Sequence, residues 1–249
     1  IHVVTPNKRA ASGPLARWDA IREASRAAGA RYLGEATVGA GLPVITTLRD
    51  LVQTGDKVLQ IDGVLSGTLS YLFNSFTAGK SFSEIVLEAK KKGYTEPDPR
   101  DDLSGRDVAR KLIILAREMG LSLELSDIKV QSLVPPELAN AGADEFLAKL
   151  PQFDAQMEKL RKAAADQNQV LRYVGVIRPE GISSVELKQY PATHSFARIT
   201  GSDNIIAFKT ARYNEQALIV QGPGAGPEVT AGGVFADLLR LTSYLGAPS

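Results

Sequence analysis

The chain has 249 residues, 44% hydrophobic and 23% charged, with a net charge of +1. That length can bury a real core as one large domain or two modest ones, and the charge balance gives no reason to expect nucleic acid or a membrane surface as partner. With no cysteine and only His2 and His194 as imidazoles, disulfides, thiolate nucleophiles and Cys-type zinc sites are excluded, and a His-rich metal site is not expected.

No apolar run reaches the length of a membrane span. Residues 1–5 read as the second half of a buried strand, without an initiator Met, signal peptide or transit peptide. The expectation is a fragment that starts part-way into a longer protein. A Thr5-Pro6-Asn7-Lys8 turn follows. Pro14 opens a helix through about Ala28, with Leu15, Trp18 and Ile21 at helical spacing. Gly29 ends it, and residues 31–38 read as another strand. Strand, helix, strand is a parallel crossover of the α/β kind. Lys8 stands at a strand's carboxyl end, where open α/β sheets collect ligands.

Residues 39–43 punctuate, and Pro43 starts a helix with Val44, Leu48, Leu51 and Val52 on one face. Residues 57–65 alternate as a strand, and Ser66-Gly67-Thr68 leads into a short helix to about Phe76. Ser81 and Glu84 form a capping box for a helix running to Gly93. Residues 143–166 suggest one or two surface helices. Segments 170–177, 183–190, 204–210 and 217–222 read as successive strands of a largely antiparallel sheet. A Gly-rich turn, residues 222–226, precedes a final apolar helix from about Glu228 to Leu245. Its spacing is not that of a dinucleotide fingerprint, which this chain lacks.

The most informative stretch runs from Tyr94 to Lys111. It places Glu96, Asp98, Asp101, Asp102 and Asp107 beside basic side chains and two prolines, in the lead-in and first turns of one expected helix, from about Ser104 to Met119. Val108, Leu112, Leu115 and Met119 define its core stripe. Asp107 and Lys111, four apart, share a face on the border of that stripe, so both should be partly buried. An isolated pair of this kind is usually a stabilising ion pair. Here it follows Glu96-Pro97-Asp98-Pro99, whose prolines stiffen the approach. A partly desolvated lysine has a lowered pKa and can act as acid or base. The bend at Glu35–Gly41 could expose carbonyls to a cation or cradle an anion, and Ser66-Gly67-Thr68 at a helix start could hold a carboxylate. Each of these two motifs, taken alone, is more often a turn or a cap.

Taken together, Val3-Val-Thr-Pro-Asn-Lys8, Glu35-Ala-Thr-Val-Gly-Ala-Gly-Leu-Pro43, Leu65-Ser-Gly-Thr-Leu-Ser70, Gly93 to Asp102, Asp107-Val-Ala-Arg-Lys111 and the turn at 222–226 resemble the homoserine dehydrogenase family along the whole chain. The tail, Ser243 to Ser249, is most similar to the plant type, in which the dehydrogenase is the C-terminal half of a bifunctional aspartate kinase–homoserine dehydrogenase. The resemblance implies an α/β protein. Residues 1–34 and 227–249 would be the remnant of a Rossmann-type dinucleotide-binding domain, 35–42 and 170–226 a mixed or antiparallel dimerisation sheet covered by helices, and 43–169 the catalytic region. It also implies NADP- or NAD-dependent interconversion of aspartate 4-semialdehyde and homoserine, on the route to threonine and methionine. Plastid location, a homodimer and a covalently linked kinase half go with it.

By the same resemblance Lys111 is the proton donor and acceptor, and Lys8 stands between cofactor and substrate. Glu96, Asp102, Asp107, Tyr94, Gly67 and Thr68 contact substrate, and Gly226 contacts the nicotinamide. Main-chain carbonyls of Glu35, Val38, Ala40 and Leu42 hold a sodium ion. The family's pyrophosphate-binding Gly-rich loop precedes the first residue of this sequence. Two other readings therefore stand beside the enzyme: an inactive substrate-binding and dimerisation module, and a reductase of another amino-acid semialdehyde.

Overall fold

Two sheets organise the computed structural model, which describes residues 1–246; the last three residues of the tail, 247–249, lie outside the described residues. The smaller sheet is β1 (Val3–Val4) paired in parallel with β2 (Tyr32–Leu33) across helix α1 (Leu15–Ala27). This is the crossover expected from the sequence, but both strands are short. Val3 is 40% exposed, so β1 is not the buried strand that its composition suggests. Residues 31–38 are not one strand either. After β2 the chain turns at Gly34 into a 3-10 turn, Glu35–Thr37.

The turn has a physical cause. Glu35 is buried, and its carboxylate accepts the N–H groups of Ile45 at 2.7 Å and Thr46 at 3.0 Å. These are orphan donors at the start of α2 (Val44–Gln53), and an acid at a helix N-terminus satisfies them. An extended backbone would carry that carboxylate away from α2.

The larger sheet has six strands: β3 (Val58–Val64), β4 (Lys129–Val130), β5 (Gln169–Ile177), β6 (Ser184–Pro191), β7 (Asp203–Thr210) and β8 (Leu218–Pro223), in the order β4-β6-β5-β3-β7-β8. All neighbours are antiparallel except β4 and β6, which makes the sheet mixed. Its central strand β3 comes from within 43–169, and residues 35–42 contribute no strand to it.

Helices α3 (Gly67–Ser75), α4 (Phe82–Lys91), α5 (Pro99–Leu103), α6 (Arg106–Glu118), α7 (Ala143–Lys149) and α8 (Asp154–Ala165) complete the middle of the chain. α3, α6 and α8 pack on β5, joining Leu112, Tyr173, Ile177 and Phe208 in the main core. The opposite sheet face carries a small apolar group, Val64, Val174, Val176 and Ile205 under Phe196 and Ile199. Asp62, Ser184 and Glu186 share that face by register. The final helix α9 (Pro227–Tyr244) buries only Gly233 and Asp237 on its inner side, and Asp237 accepts the Glu35 N–H at 2.8 Å.

The charged stretch from Tyr94 to Lys111 does not lead into a single helix. Asp98 caps α5, and the chain then breaks at Gly105, which has φ +72°, before α6 begins. A side chain at Gly105 would collide with the Tyr173 hydroxyl, which donates to the Gln131 carbonyl at 2.6 Å. The break reorients the chain, so that the α5 carboxylates and the first turn of α6 face the same space.

Candidate active site

Lys111 is the centre of the site. It lies one turn into α6 and is 9% exposed. Its ammonium donates to the Leu65 carbonyl at 2.7 Å, at the end of β3, and pairs with Asp107 Oδ2 at 3.0 Å. Asp107 Oδ1 takes a second ammonium, that of Lys8, at 3.2 Å. One carboxylate thus bridges two lysines brought from elements far apart in sequence, α6 and the loop after β1.

The electrostatics follow from this geometry. Burial pushes the Lys111 ammonium below the usual lysine range; the Asp107 carboxylate opposes that shift and the Lys8 charge adds to it. For Asp107, burial raises the pKa, but the charges of Lys111 and Lys8 with their hydrogen bonds outweigh it and hold the carboxyl below its ordinary value. Asp102 goes the other way. Burial raises it, against the Glu96 N–H and the Thr68 hydroxyl, while the charges of Glu96 and Asp107 push it further up.

Lys8, Asp102 and Asp107 line a cavity of about 420 Å³ together with Ser66, Glu96, Asp101, Ser104, Arg106, Val108 and Arg110, and Lys111 reaches its wall through Asp107. Asp102 Oδ2 accepts the Glu96 N–H at 2.8 Å and so holds the Glu96 segment over the cavity. Thr68 donates to the Tyr94 carbonyl at 2.6 Å, tying the start of α3 to the same segment. The Tyr94 side chain is 46% exposed and rests on the Tyr71 ring at 4.8 Å between centroids. Gly67 lies behind Ser66, where an added Cβ would be 3.8 Å from Ala225 Cβ. Ala225 of the Gly-rich turn therefore packs beside the start of α3, whereas Gly226 (φ +122°) lines a different hollow, with Pro227, Thr230 and Phe235 along α9.

Lys8, Lys111, Glu96, Asp102, Asp107, Thr68 and Tyr94 thus form one bonded neighbourhood, with Gly67 adjoining it; among the described residues no hydrogen bond joins Gly226 to it. Glu35, Val38, Ala40 and Leu42 lie in a separate loop that touches the far end of the turn, with Leu42 Cδ2 3.1 Å from a Cβ built on Gly222. The Glu35 side chain is occupied at α2 and by Arg240 at 3.4 Å. Among the described residues, the Glu35 and Leu42 carbonyls accept the N–H groups of Val38 and Val44, whereas those of Val38 and Ala40 accept no such backbone bond. Ala40 has φ +54°, and its carbonyl oxygen lies 2.5 Å from a Cβ built on Gly233 of α9. Carbonyl oxygens of this kind suit a hard monovalent cation. Among the described residues no group of three or more His, Cys, Asp or Glu could hold a metal ion.

Ser66, expected as a helix cap or a carboxylate holder, is a cap, accepting from Leu69 N–H at 3.2 Å, and it also lines the cavity. Two other contributors to the site do not stand out in the sequence. The Leu65 carbonyl leaves no trace in residue type. Arg110 looks like the solvated face of α6. Chemically, the arrangement offers carboxylates for a bound ammonium group and a desolvated lysine able to give or take a proton.

A protein-family model described as "Homoserine dehydrogenase" matches residues 43–239. The chain is 62% identical over 251 residues to the chloroplastic bifunctional aspartokinase/homoserine dehydrogenase 1 of Zea mays, covering 100% of this chain and 27% of that protein. It is 49% identical over 259 residues to the homoserine dehydrogenase of Emericella nidulans, covering 98% of this chain and 70% of that one. The fold is similar to that of a Candida auris protein of unknown function, with TM-score 0.93, 49% identity and coverage of 98% and 70%. It is also similar to a hyperthermophilic archaeal homoserine dehydrogenase in complex with NADPH, with TM-score 0.74, 25% identity and coverage of 100% and 66%. The chain thus spans about a quarter of the length of its plant relatives.

Proposed function

The chain belongs to the homoserine dehydrogenase family, and from that membership we propose that it carries the substrate-binding and proton-transfer centre for the reversible, NAD(P)-dependent interconversion of aspartate 4-semialdehyde and homoserine. The observation that carries this reading is the desolvated Lys111, paired with Asp107, which lines the cavity together with Glu96 and Asp102. Glu96, Asp102 and Asp107 receive the ammonium group of the substrate. Lys8 and the backbone at Gly226 are the residues that would hold the nicotinamide, which would supply hydride chemistry at the substrate carbon that bears the oxygen.

In the reducing direction negative charge grows on the aldehyde oxygen. The Lys111 ammonium stabilises it and delivers the proton. In the oxidising direction Lys111 in its neutral form removes the hydroxyl proton, which its depressed pKa favours. The Leu65 carbonyl and Asp107 fix the direction of the lysine side chain. Lys8 shares Asp107 and adds positive field at the same place.

The carbonyls of Glu35, Val38, Ala40 and Leu42 form the matching site for a monovalent cation such as sodium. The half-polar sheet face bearing Asp62, Ser184 and Glu186 is the homodimer surface. A linked aspartate kinase half and a plastid location accord with the plant relatives. No observation favours the alternative of an inactive module.

The test is homoserine-dependent reduction of NADP, measured on this chain and on a version extended N-terminally to the length of the Emericella nidulans relative. Turnover is expected with homoserine and not with other hydroxy amino acids. No turnover in either version would rule the reading out.

A further inference from the structure

Among the described residues three buried side-chain polar atoms have no hydrogen-bond partner, and two of them are Nδ2 and Oδ1 of Asn204. Asn204 is fully buried, at 0% exposure. It lies near the start of β7, opposite Gly222 of β8. Its carboxamide lies against the α-carbon of Gly224, so that any side chain at 224 would overlap the amide. The Gly-rich turn is thus laid flat over a polar group that it does not satisfy. The turn is unsatisfied as well: among the described residues, the N–H groups of Gly224, Ala225 and Gly226 donate to no backbone carbonyl.

The carboxamide is therefore against the Gly224 backbone, yet no hydrogen bond joins it to the turn. A carboxamide can donate twice and accept twice, and a buried amide left unpaired costs free energy that an apolar side chain of the same shape would not. An apolar residue would fill this space without that cost. The mismatch falls at the segment that leads into Gly226 and the start of α9, beside Gly67 at the start of α3.

We propose that Asn204 is a positioning residue for the dinucleotide site: the turn at 222–226 has a second arrangement, adopted when the cofactor engages it, in which the turn backbone pairs with the Asn204 carboxamide. This rests on the dehydrogenase reading given above. The ligand-free state leaves the amide unpaired, the ligand-bound state satisfies it, and the difference biases the turn towards the arrangement that the cofactor selects.

The test uses the N-terminally extended chain with Asn204→Leu, and with Asn204→Ala in case the larger side chain crowds the turn. Three quantities are read: the NADPH dissociation constant by fluorescence titration, the melting temperature without ligand, and hydrogen exchange at residues 224–226 with and without NADPH. NADPH binding is expected to weaken tenfold or more. The ligand-free melting temperature should hold or rise, because an unsatisfied amide has been removed. Cofactor-induced protection at 224–226 should appear in the unaltered chain and be lost in the variants. Unchanged NADPH affinity would overturn the proposal, whether or not the melting temperature falls. So would protection at 224–226 that survives in the variants, since the amide would then be a static packing element, satisfied by a trapped water. If the unaltered extended chain does not bind NADPH at all, the dehydrogenase reading falls and takes this inference with it.

Discussion

Replacing Lys111 by methionine should separate chemistry from stability. The side chain is 9% exposed, and methionine fills nearly the same volume, so packing changes little. Removing one member of a buried ion pair is normally destabilising by about 3–5 kcal/mol, because the other charge is stranded. Here Asp107 is not stranded. Its side chain is 44% exposed and keeps Lys8 at 3.2 Å. The Leu65 carbonyl does lose its donor, at roughly 1–3 kcal/mol. Against that, a desolvated ammonium is removed, which offsets a few kcal/mol. The balance lies within about 2 kcal/mol of zero, or within about 8 °C in melting temperature at roughly 2–4 °C per kcal/mol for a chain of this size. Loss of a positioned proton donor costs about 10²–10⁴-fold in turnover, which is on the order of 3–5 kcal/mol of barrier. The assay pairs initial rates of homoserine oxidation and semialdehyde reduction with a thermal melt. Turnover within tenfold of the unaltered protein, on a folded chain, would remove Lys111 from the proton transfer.

Two further outcomes follow from the same geometry. Asp107→Asn removes the carboxylate that raises the Lys111 pKa, leaving Lys8 and Lys111 to repel each other. Lys111 then loses its proton more readily, so the rising limb of the pH–rate profile for homoserine oxidation should move to lower pH; a limb that stays put would mean that Lys111 is not the titrating base. Gly105→Ala places a side chain at φ +72° and against the Tyr173 hydroxyl. It should destabilise the fold by about 2–4 kcal/mol, seen as a drop of roughly 5–15 °C in melting temperature, and an unchanged melt would show that the turn between α5 and α6 is not under this constraint.

What the sequence by itself determined is largely what depends on near neighbours along the chain. The capping box at Ser81 and Glu84 is present. α6 places Asp107 and Lys111 on one face because residues four apart share one. The strands at 170–177, 183–190, 204–210 and 217–222 appear within a residue or two as β5 to β8, since alternation is a local pattern. The family, too, was legible from short motifs spread along the chain.

The tertiary structure decided whatever depends on partners distant in sequence. Residues 31–38 carry strand-forming side chains, yet the Glu35 carboxylate is claimed by α2 and its N–H by Asp237, 202 residues away, and those bonds outweigh local propensity. The charged stretch from Tyr94 looked continuous; the Tyr173 hydroxyl beneath Gly105 sets the break between α5 and α6. Lys8 and Lys111 are 103 positions apart in the numbering and meet on one carboxylate, and the Leu65 carbonyl that orients Lys111 has no signature in residue type. The physical reason is the same in each case. A helix face or a strand alternation is set by bonds and torsions a few residues apart, whereas the pKa of a lysine and the direction of its proton depend on burial and on charges that only chain packing brings within a few ångströms.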